Sequence, residues 1–436
     1  MVRIVMLGAG SAFTHGLAGD IMQIPGLESG EIALVDVDPK RLRLAEGLVR
    51  RIAEALGKDK AWKIRATADR RRVLDGADFV INTIEVSGTK NVRVDNDIPL
   101  EYGVSQCIGD TIGPGGIFKA MRTVPAWVDI LRDVERGAPA AHVLNYTNPM
   151  SIMTHAACLV TDLPVVGLCH SVQGTSKGLA RACRVPYDEM VWECAGLNHM
   201  AWFTRLEHKG RDLYPRLKRR VRRDADLWES DPVRFDFMLH FGYFVTESSG
   251  HFSEYLPYYR KRKDLRKKFM RDRYRGQESF YADEWPGWRK AADRRRRRIM
   301  QGKERLEIKG RTHEYASNII EAVTFDRPLI FHGSVWNTGL IDNLPGDSVV
   351  EAPILVDKGG MHPCHFGPLP DVCAALNRQH MAVNKLVAEA CVEGDREKAR
   401  LGLMLDPLTA AVCAPSEIHE MFDRMFKAER RYLKGF

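Results

Sequence analysis

The sequence predicts an α/β protein whose N-terminal part forms a doubly wound parallel sheet of the Rossmann type. Five short apolar segments have the length and composition of strands: 3–7, 32–35, 79–83, 142–146 and 165–169. Segments with the apolar spacing of helices separate these strands, and this alternation is typical of parallel sheets. Since ligands bind beyond the carboxyl ends of such strands, we expect functional residues where the strands end.

The alternation of strands and helices weakens after residue 169, which predicts a second domain of another kind. Two extended segments, 329–331 and 349–356, indicate some further sheet, and residues 376–393 predict a long amphipathic helix. We therefore divide the chain into a parallel-sheet domain, residues 1–170, and an α+β domain, residues 171–436. Lactate and malate dehydrogenases have this architecture.

Composition and charge argue against several classes of protein. The chain has 436 residues, of which 44% are hydrophobic and 28% charged, so it can bury a sizeable core. We find neither a leader-peptide pattern nor a span long enough to cross a bilayer, and most of the nine cysteines lie in apolar stretches as buried thiols. We therefore expect a cytoplasmic protein that does not contact membranes.

The net charge of +8 comes largely from arginine clusters, such as residues 294–298. These clusters lack interleaved aromatic residues and are flanked by aspartates, so nucleic acid is not an expected partner. We interpret residues 294–298 as a solvated helix face or a subunit contact.

The first predicted strand runs into Gly8-Ala9-Gly10-Ser11, a turn suited to a dinucleotide. The first glycine permits the tight turn, and the second lets backbone N–H groups approach a pyrophosphate, although Phe13 replaces the third glycine of the full fingerprint. Asp36 ends the second strand, where an acidic side chain binds a ribose 2′-hydroxyl and repels a 2′-phosphate, so NAD is favoured over NADP. Asn82, on the third strand, is a further candidate contact. A strand, turn and helix without a ligand is the alternative.

Cys169 follows the fifth predicted strand, and His199 lies in a glycine-containing turn. Taken alone, each is more often a core residue. A thiolate and an imidazole with open positions for substrate oxygens would suit a catalytic divalent ion, and Mn²⁺ is one candidate. Their position near a strand end favours the metal site over the core.

Two further segments bring polar groups to the same strand ends. Residues 145–150, which include Asn148, leave the fourth strand. Residues 108–116 form a glycine-rich loop in which Asp110 could tune a neighbouring acid or base, unless this is an ordinary surface loop.

The segment 246–255 contains three possible proton carriers: Glu247, His251 and Tyr255. The alternative for this segment is a helix start capped by Ser248 or Ser249.

These motifs together resemble glycoside hydrolase family 4, and within it the α-galactosidase branch. The matching stretches follow one another in order through nearly the whole chain: residues 8–11, 110–116, 145–150, 169–175, 194–200, 242–249, 314–317 and 339–345. The resemblance implies an unusual hydrolysis that departs from the two-carboxylate scheme of most glycosidases. In this family, NAD⁺ oxidises the sugar C3 hydroxyl, a base removes the C2 proton, the C1 substituent is eliminated, water adds at C1, and NADH returns the hydride. The metal holds the C2 and C3 oxygens.

The resemblance also implies roles for individual residues. Cys169 and His199 match the metal ligands, Asn148 matches a substrate-binding asparagine, and Asp110 matches an acidic residue that assists the base. His170 stands where the phosphoglucosidase members carry an aspartate that protonates the leaving group.

The catalytic base is where the chain departs from the family. Several members use a tyrosine from the segment aligned with residues 246–255, and His251 aligns nearest to it here. Glu247 and Tyr255 are rival candidates.

The resulting hypothesis is an NAD⁺- and Mn²⁺-dependent α-galactosidase that binds a small glycoside and forms a homodimer or homotetramer. An α-glucosidase or α-galacturonidase of the same family is the near alternative. An NAD-dependent 2-hydroxy acid dehydrogenase would share the nucleotide domain but has no use for Cys169 with His199. A non-enzymatic NAD-sensing protein is the third alternative.

Overall fold

A 13-stranded mixed sheet runs through the computed structural model, which describes residues 1–308, 310–312 and 314–436. The strands in this part of the chain are β1 Val2–Leu7, β2 Gly30–Val35, β3 Trp62–Thr67, β4 Phe79–Asn82, β5 His142–Asn145, β6 Val165–Leu168, β7 Met190–Leu197, β8 Met200–His208, β9 Arg211–Asp212, β10 Phe244–Val245, β11 Leu329–Trp336, β12 Val349–Asp357 and β13 Gly360–Pro363.

Helices cover both faces of this sheet and extend beyond its end. They are α1 Phe13–Met22, α2 Pro39–Ala55, α3 Val92–Glu101, α4 Gly113–Gly137, α5 Met150–Val160, α6 Ser171–Cys183, α7 Tyr214–Arg223, α8 Ala225–Ser230, α9 Pro232–Phe241, α10 Ser249–Phe252, α11 Lys263–Phe269, α12 Phe280–Met300, α13 Tyr315–Phe325, α14 Asp371–Glu393, α15 Arg396–Met404, α16 Pro407–Val412 and α17 Pro415–Glu429.

The first six strands form the predicted doubly wound parallel sheet, in the order β6-β5-β4-β1-β2-β3. All residues of β2 and β4 are buried, as expected for strands covered on both faces. The sequence-based prediction missed β3, because Lys63 and Arg65 alternate with its apolar residues and it lies at the edge.

The second half of the chain extends the same sheet with antiparallel strands. β11 pairs with β6, and β12 pairs with β11, in agreement with the two predicted extended segments. The sequence-based prediction missed β7 and β8, which form a long antiparallel hairpin. One continuous sheet thus joins the two predicted domains, and the boundary at residue 170 stays a prediction.

Local signals at the helix ends agree with the sequence. The carboxylate of Asp38 caps α2 by accepting hydrogen bonds from two backbone N–H groups, and Pro39 occupies the first turn. Helix α14 contains the predicted segment 376–393 and ends at Gly394, whose φ of +75° suits glycine.

The arginine run 294–298 lies in the last turns of α12. Four of the five arginines are exposed, but Arg296 is only 5% exposed. The prediction of a solvated face is therefore wrong for Arg296, which packs into the protein.

The helices within the described ranges include none that is long and apolar enough to span a membrane.

Buried histidines predict a loss of stability in acid. Burial lowers the pKa of four of them from the usual 6.5 to about 4: His15, His155, His332 and His380. Because each folded-state pKa lies below its unfolded value, the unfolded chain takes up protons first as the pH falls from 6.5 towards 4. We expect the melting temperature to drop across that window, and more shallowly in a His332→Gln variant. Equal slopes for the two proteins would contradict this assignment.

Candidate active site

The carboxyl ends of the central strands meet at one edge of the sheet. Leu7 of β1 pairs with Asn82 of β4, Asn82 with Asn145 of β5, and Asn145 with Gly167 of β6. The segments that leave these strands therefore line one cleft, as the strand order predicts. All predicted site residues except Asn82 and Tyr255 line this cleft: Gly8, Gly10, Ser11, Asp36, Asp110, Asn148, Cys169, His170, His199, Glu247 and His251.

The turn after β1 requires glycine for steric reasons. Gly8 has a φ of +71°, and a Cβ atom there would lie 2.5 Å from the carbonyl oxygen of Thr83. The Gly10 N–H donates a hydrogen bond to Asp36 Oδ2 at 2.7 Å. Helix α1 begins directly after this turn, and Ala12 at its N-cap carries no side-chain oxygen. The turn thus places glycine backbone and the start of α1 at the edge of the cleft, an arrangement that suits a dinucleotide pyrophosphate.

Helix α12 packs against this turn, which the sequence did not indicate. Arg296 donates one hydrogen bond to the Gly10 carbonyl at 2.9 Å and another to the Ser11 carbonyl. Arg41 binds the Gly10 carbonyl as well and forms an ion pair with Asp293 of α12 at 2.6 Å. Arg296, which lies nearly 300 residues later in the sequence, thus stabilises the conformation of the turn.

Asn82 lies beneath the cleft rather than in it. Its side chain is fully buried and donates hydrogen bonds to Asn145 Oδ1 at 2.8 Å and to Thr147 Oγ1 at 3.3 Å. We therefore assign Asn82 the role of holding the strand ends together, instead of the predicted contact with the cofactor.

Three potential metal ligands converge at the centre of the cleft. One donor atom each from Cys169, His199 and Glu247 lies within 4.8 Å of the other two, and His199 Nε2 is 3.3 Å from Glu247 Oε2. Sulfur, imidazole nitrogen and carboxylate oxygen together suit a divalent transition-metal ion. The first two residues were predicted as ligands, whereas Glu247 was predicted as a proton carrier. We refer to these residues as the Cys-His-Glu cluster.

Two members of the cluster have an unusual backbone conformation. His199 has a φ of +64° in the turn between β7 and β8, and Glu247 has a φ of +75° just after β10. Non-glycine residues seldom adopt such angles, and they are often found at functional sites. The hairpin that the sequence-based prediction missed therefore supplies a ligand from its turn.

The charges within the cluster depend on one another. Burial raises the pKa of the Cys169 thiol, but the neighbouring His199 imidazolium outweighs it and brings the value down to about 7. Burial lowers the pKa of His199, but Glu247 and Cys169 outweigh it and raise the value to about 10. The cluster thus stabilises a positive charge at its centre, whether a proton or a metal ion.

The sequence-based prediction also missed Glu351 beside the cluster. This residue of β12 is 1% exposed and accepts a hydrogen bond from Asn198 at 3.4 Å. Burial, with Cys169 close by, raises its pKa well above the usual value. A lone acidic residue inside the apolar segment 349–356 was the available signal.

Asp110 connects several side chains next to the cluster. It accepts a hydrogen bond from Asn148 Nδ2 at 3.3 Å and lies 3.5 Å from Lys119 Nζ, which is also 3.0 Å from Glu85. Burial raises the pKa of Asp110, but Lys119 and His251 outweigh it and hold the carboxyl ionised. The loop predicted over 108–116 ends earlier, because α4 begins at Gly113.

Of the candidate bases, His251 is better placed than Tyr255. His251 Nε2 is buried, has no hydrogen-bond partner among the described residues and lies 3.9 Å from Asp110 Oδ1, and the side chain lines the cleft. The Tyr255 hydroxyl points at His199 Nδ1 from 3.4 Å, and burial raises its pKa well above the usual value. A helix does begin at Ser249, but within the described residues the Ser248 side chain at its N-cap makes no capping hydrogen bond, and the Ser249 hydroxyl accepts from the backbone N–H groups of Val233 and Arg234 in α9 instead, so the capping alternative is wrong.

His170 lies farther out, towards the mouth of the cleft. Its side chain is 56% exposed, and Nδ1 is 3.5 Å from Glu314 Oε2. The interaction with the Glu314 carboxylate is the main reason that the pKa of His170 rises to about 9. His170 is therefore protonated at neutral pH and able to donate a proton.

Comparison with known proteins gives matches over nearly the whole chain. The family described as "Family 4 glycosyl hydrolase" matches residues 3–185, and its C-terminal domain matches residues 194–409. An α-galactosidase of Bacillus subtilis is 38% identical over the full length of both chains. An α-galactosidase of Rhizobium meliloti is 35% identical and an α-galacturonidase of Thermoanaerobacterium saccharolyticum 27%, each over all of this chain and 89% and 97% of the relative.

Solved structures show the same fold. A 6-phospho-α-glucosidase from gut microorganisms, in complex with NAD and Mn²⁺, has a TM-score of 0.82 at 21% identity and covers 99% of this chain and 98% of its own. A 6-phospho-β-glucosidase of Thermotoga maritima, with manganese, NAD⁺ and glucose-6-phosphate, has a TM-score of 0.81 at 22% identity over 99% of both chains. A malate dehydrogenase of Plasmodium falciparum is a more distant match, with a TM-score of 0.51 at 14% identity over 90% of this chain and all of its own.

Proposed function

Because the chain belongs to family 4 of the glycoside hydrolases, we propose that it is an α-galactosidase that requires NAD⁺ and Mn²⁺. The observation that carries this proposal is the Cys-His-Glu cluster, which shares one cleft with the turn after β1. A dinucleotide turn and a soft metal site in one cleft serve a reaction that combines hydride transfer with charge stabilisation.

The residues present fit both cofactors. Gly8, Gly10, Ser11 and Asp36 would hold NAD⁺, and the Cys-His-Glu cluster would hold Mn²⁺. When bound, NAD⁺ supplies a hydride acceptor for the sugar C3, and Mn²⁺ supplies Lewis-acid stabilisation of charge on the sugar oxygens.

The side chains around the cluster carry the proton transfers. We assign His251 as the base that takes the C2 proton, with the nearby Asp110 carboxylate stabilising the positive charge that His251 gains. The Asn148 amide, held by Asp110, binds the sugar. His170, oriented by Glu314, protonates the oxygen of the leaving group at C1.

The charge pairing near the cluster favours a neutral sugar over a uronide. Two basic side chains that line this part of the cleft are already paired: Lys119 with Glu85 at 3.0 Å, and Arg234 with Asp231 at 2.7 Å. A galacturonide carboxylate would have to compete with these carboxylates for its partner, whereas a galactose 6-hydroxyl would not.

The proposal is tested by comparing aryl α-galactoside, α-glucoside and α-galacturonide as substrates, with each cofactor supplied or omitted. We expect the galactoside to be hydrolysed fastest, and only when both NAD⁺ and Mn²⁺ are present. A preference for the glucoside or galacturonide would overturn the substrate assignment, and hydrolysis without either cofactor would overturn the mechanism.

Membership of a glycoside hydrolase family argues against the two alternatives from other classes, a 2-hydroxy acid dehydrogenase and a non-enzymatic NAD-sensing protein. The dehydrogenase prediction arose because the nucleotide turn and the sheet are common to both kinds of enzyme. A homodimer or homotetramer in the cytoplasm stays a prediction.

Arg296 provides a prediction about cofactor binding. An Arg296→Gln substitution removes two charge-assisted hydrogen bonds to the carbonyls of the turn, so we expect NAD⁺ affinity to fall by about 10-fold or more. Arg294→Gln is the matched control, because Arg294 is exposed on the same helix. Calorimetric titration with NAD⁺ measures the affinity of each variant. Equal affinities in the two variants would show that Arg296 does not support the turn.

A further inference from the structure

Four aromatic side chains line the cleft beside the proposed catalytic residues, and the mechanism above uses none of them. They are Tyr274, Tyr281, Trp285 and Trp288. Three belong to the first half of α12, and Tyr274 lies in the short turn before that helix. We call them the aromatic wall.

The rings of the wall form one connected group. Tyr274 and Trp288 are stacked, with centroids 6.3 Å apart and an interplanar angle of 27°. Tyr281 lies 6.1 Å from Tyr274 and 5.8 Å from Trp285. Tyr274 is 45% exposed and Trp288 36%, so both retain surface that a ligand can cover.

The wall adjoins the reacting groups. Lys119, which lies 3.5 Å from Asp110, has its ammonium 5.4 Å from the centre of the Trp285 ring. On the other side, a Cβ atom on Gly250 would lie 2.4 Å from the Tyr274 carbonyl oxygen, so the backbone next to His251 packs directly on the backbone of Tyr274.

The wall is separate from the part of α12 that touches the nucleotide turn. Trp285 and Arg296 are 11 positions apart in this helix, which corresponds to about 16 Å at 1.5 Å per residue. The C-terminal part of α12 therefore contacts the nucleotide turn, whereas its N-terminal part faces the substrate end of the cleft.

We propose that the aromatic wall is the binding subsite for the leaving group, and that this leaving group is a neutral sugar ring. The inference rests on the proposed function, since a glycosidase needs room for the C1 substituent beside its acid and base. A sugar ring has an apolar face of C–H groups and a polar rim. Phenol and indole rings match both, because they combine a flat apolar surface with one O–H or N–H donor.

The proposal predicts a selective effect on substrates with a sugar as leaving group. We expect Trp288→Ala to lower the ratio of kcat/KM for an α-galactosyl disaccharide to kcat/KM for methyl α-galactoside by roughly 3- to 10-fold. Trp288→Phe should restore most of the ratio. Tyr258→Ala is the matched control, because Tyr258 is 39% exposed and is not among the residues that line the cleft.

Other outcomes distinguish a failure of the subsite proposal from a failure of the proposed function. An unchanged ratio, or equal losses on both substrates, would overturn the subsite while leaving the α-galactosidase assignment intact. If the wild-type enzyme cleaves neither galactoside, the proposed function fails. The subsite is then decided by tryptophan fluorescence: free disaccharide should quench the wild type, and absence of quenching, or equal quenching in Trp288→Ala, would overturn it.

Discussion

Replacing Cys169 with serine is expected to abolish metal-dependent glycosidase activity. The partly buried thiol has a pKa of about 7 next to His199, so it ionises readily, whereas a serine hydroxyl does not. Loss of a direct ligand should weaken Mn²⁺ binding by more than the roughly 10- to 100-fold that removal of an outer partner costs. We expect activity at fixed Mn²⁺ to fall by at least about the same factor.

Mn²⁺ affinity, measured from the spin-resonance signal of the free ion, should fall together with activity. Cys364→Ser serves as the control, since Cys364 is only partly buried, lies in the segment after β13, and does not line the cleft. Full retention of Mn²⁺ affinity and activity in Cys169→Ser would contradict the metal site.

Replacing His251 with alanine is expected to lower kcat by about 10² to 10⁴, the usual contribution of a general base. The imidazole Nε2 lies 3.9 Å from Asp110 and has no hydrogen-bond partner in the part of the chain that the structure describes, so it is free to accept a proton from the substrate. Exchange of the sugar C2 proton with solvent, followed by NMR, should disappear together with hydrolysis.

Two comparisons make this assignment specific. Tyr255→Phe should retain C2 exchange, because the Tyr255 hydroxyl points at His199 and burial raises its pKa. His240→Ala should behave like the wild type, because His240 has a 72% exposed side chain at the end of α9. If Tyr255→Phe loses exchange and His251→Ala keeps it, the base is the phenol.

Several features of the site follow from the sequence because they depend on local order along the chain. Gly8 follows a strand and Cys169 follows another, and parallel strands bring their carboxyl ends to one edge. That geometry alone places the nucleotide turn and the thiol in one cleft, although they are about 160 residues apart.

Other features depend on contacts between distant segments, which local patterns do not reveal. Glu247 joins His199 because β10 pairs with β8, and β8 follows the turn that carries His199. Arg296 appears in the sequence as one of five similar arginines, and only the packing of α12 on the nucleotide turn distinguishes it. For Asn82, the sequence-based prediction placed a polar side chain at a strand end in contact with the cofactor. In the structure this side chain points inwards and binds Asn145 on the neighbouring strand.

The most direct test of the account is hydrolysis of an aryl α-galactoside in D₂O, with NAD⁺ and Mn²⁺ supplied. The account predicts that the released galactose carries deuterium at C2, because a base removes the C2 proton before water adds at C1. A substrate deuterated at C2 should correspondingly lose its label in H₂O. Release of galactose that keeps its original hydrogen isotope at C2 in both experiments would contradict the oxidation and elimination route.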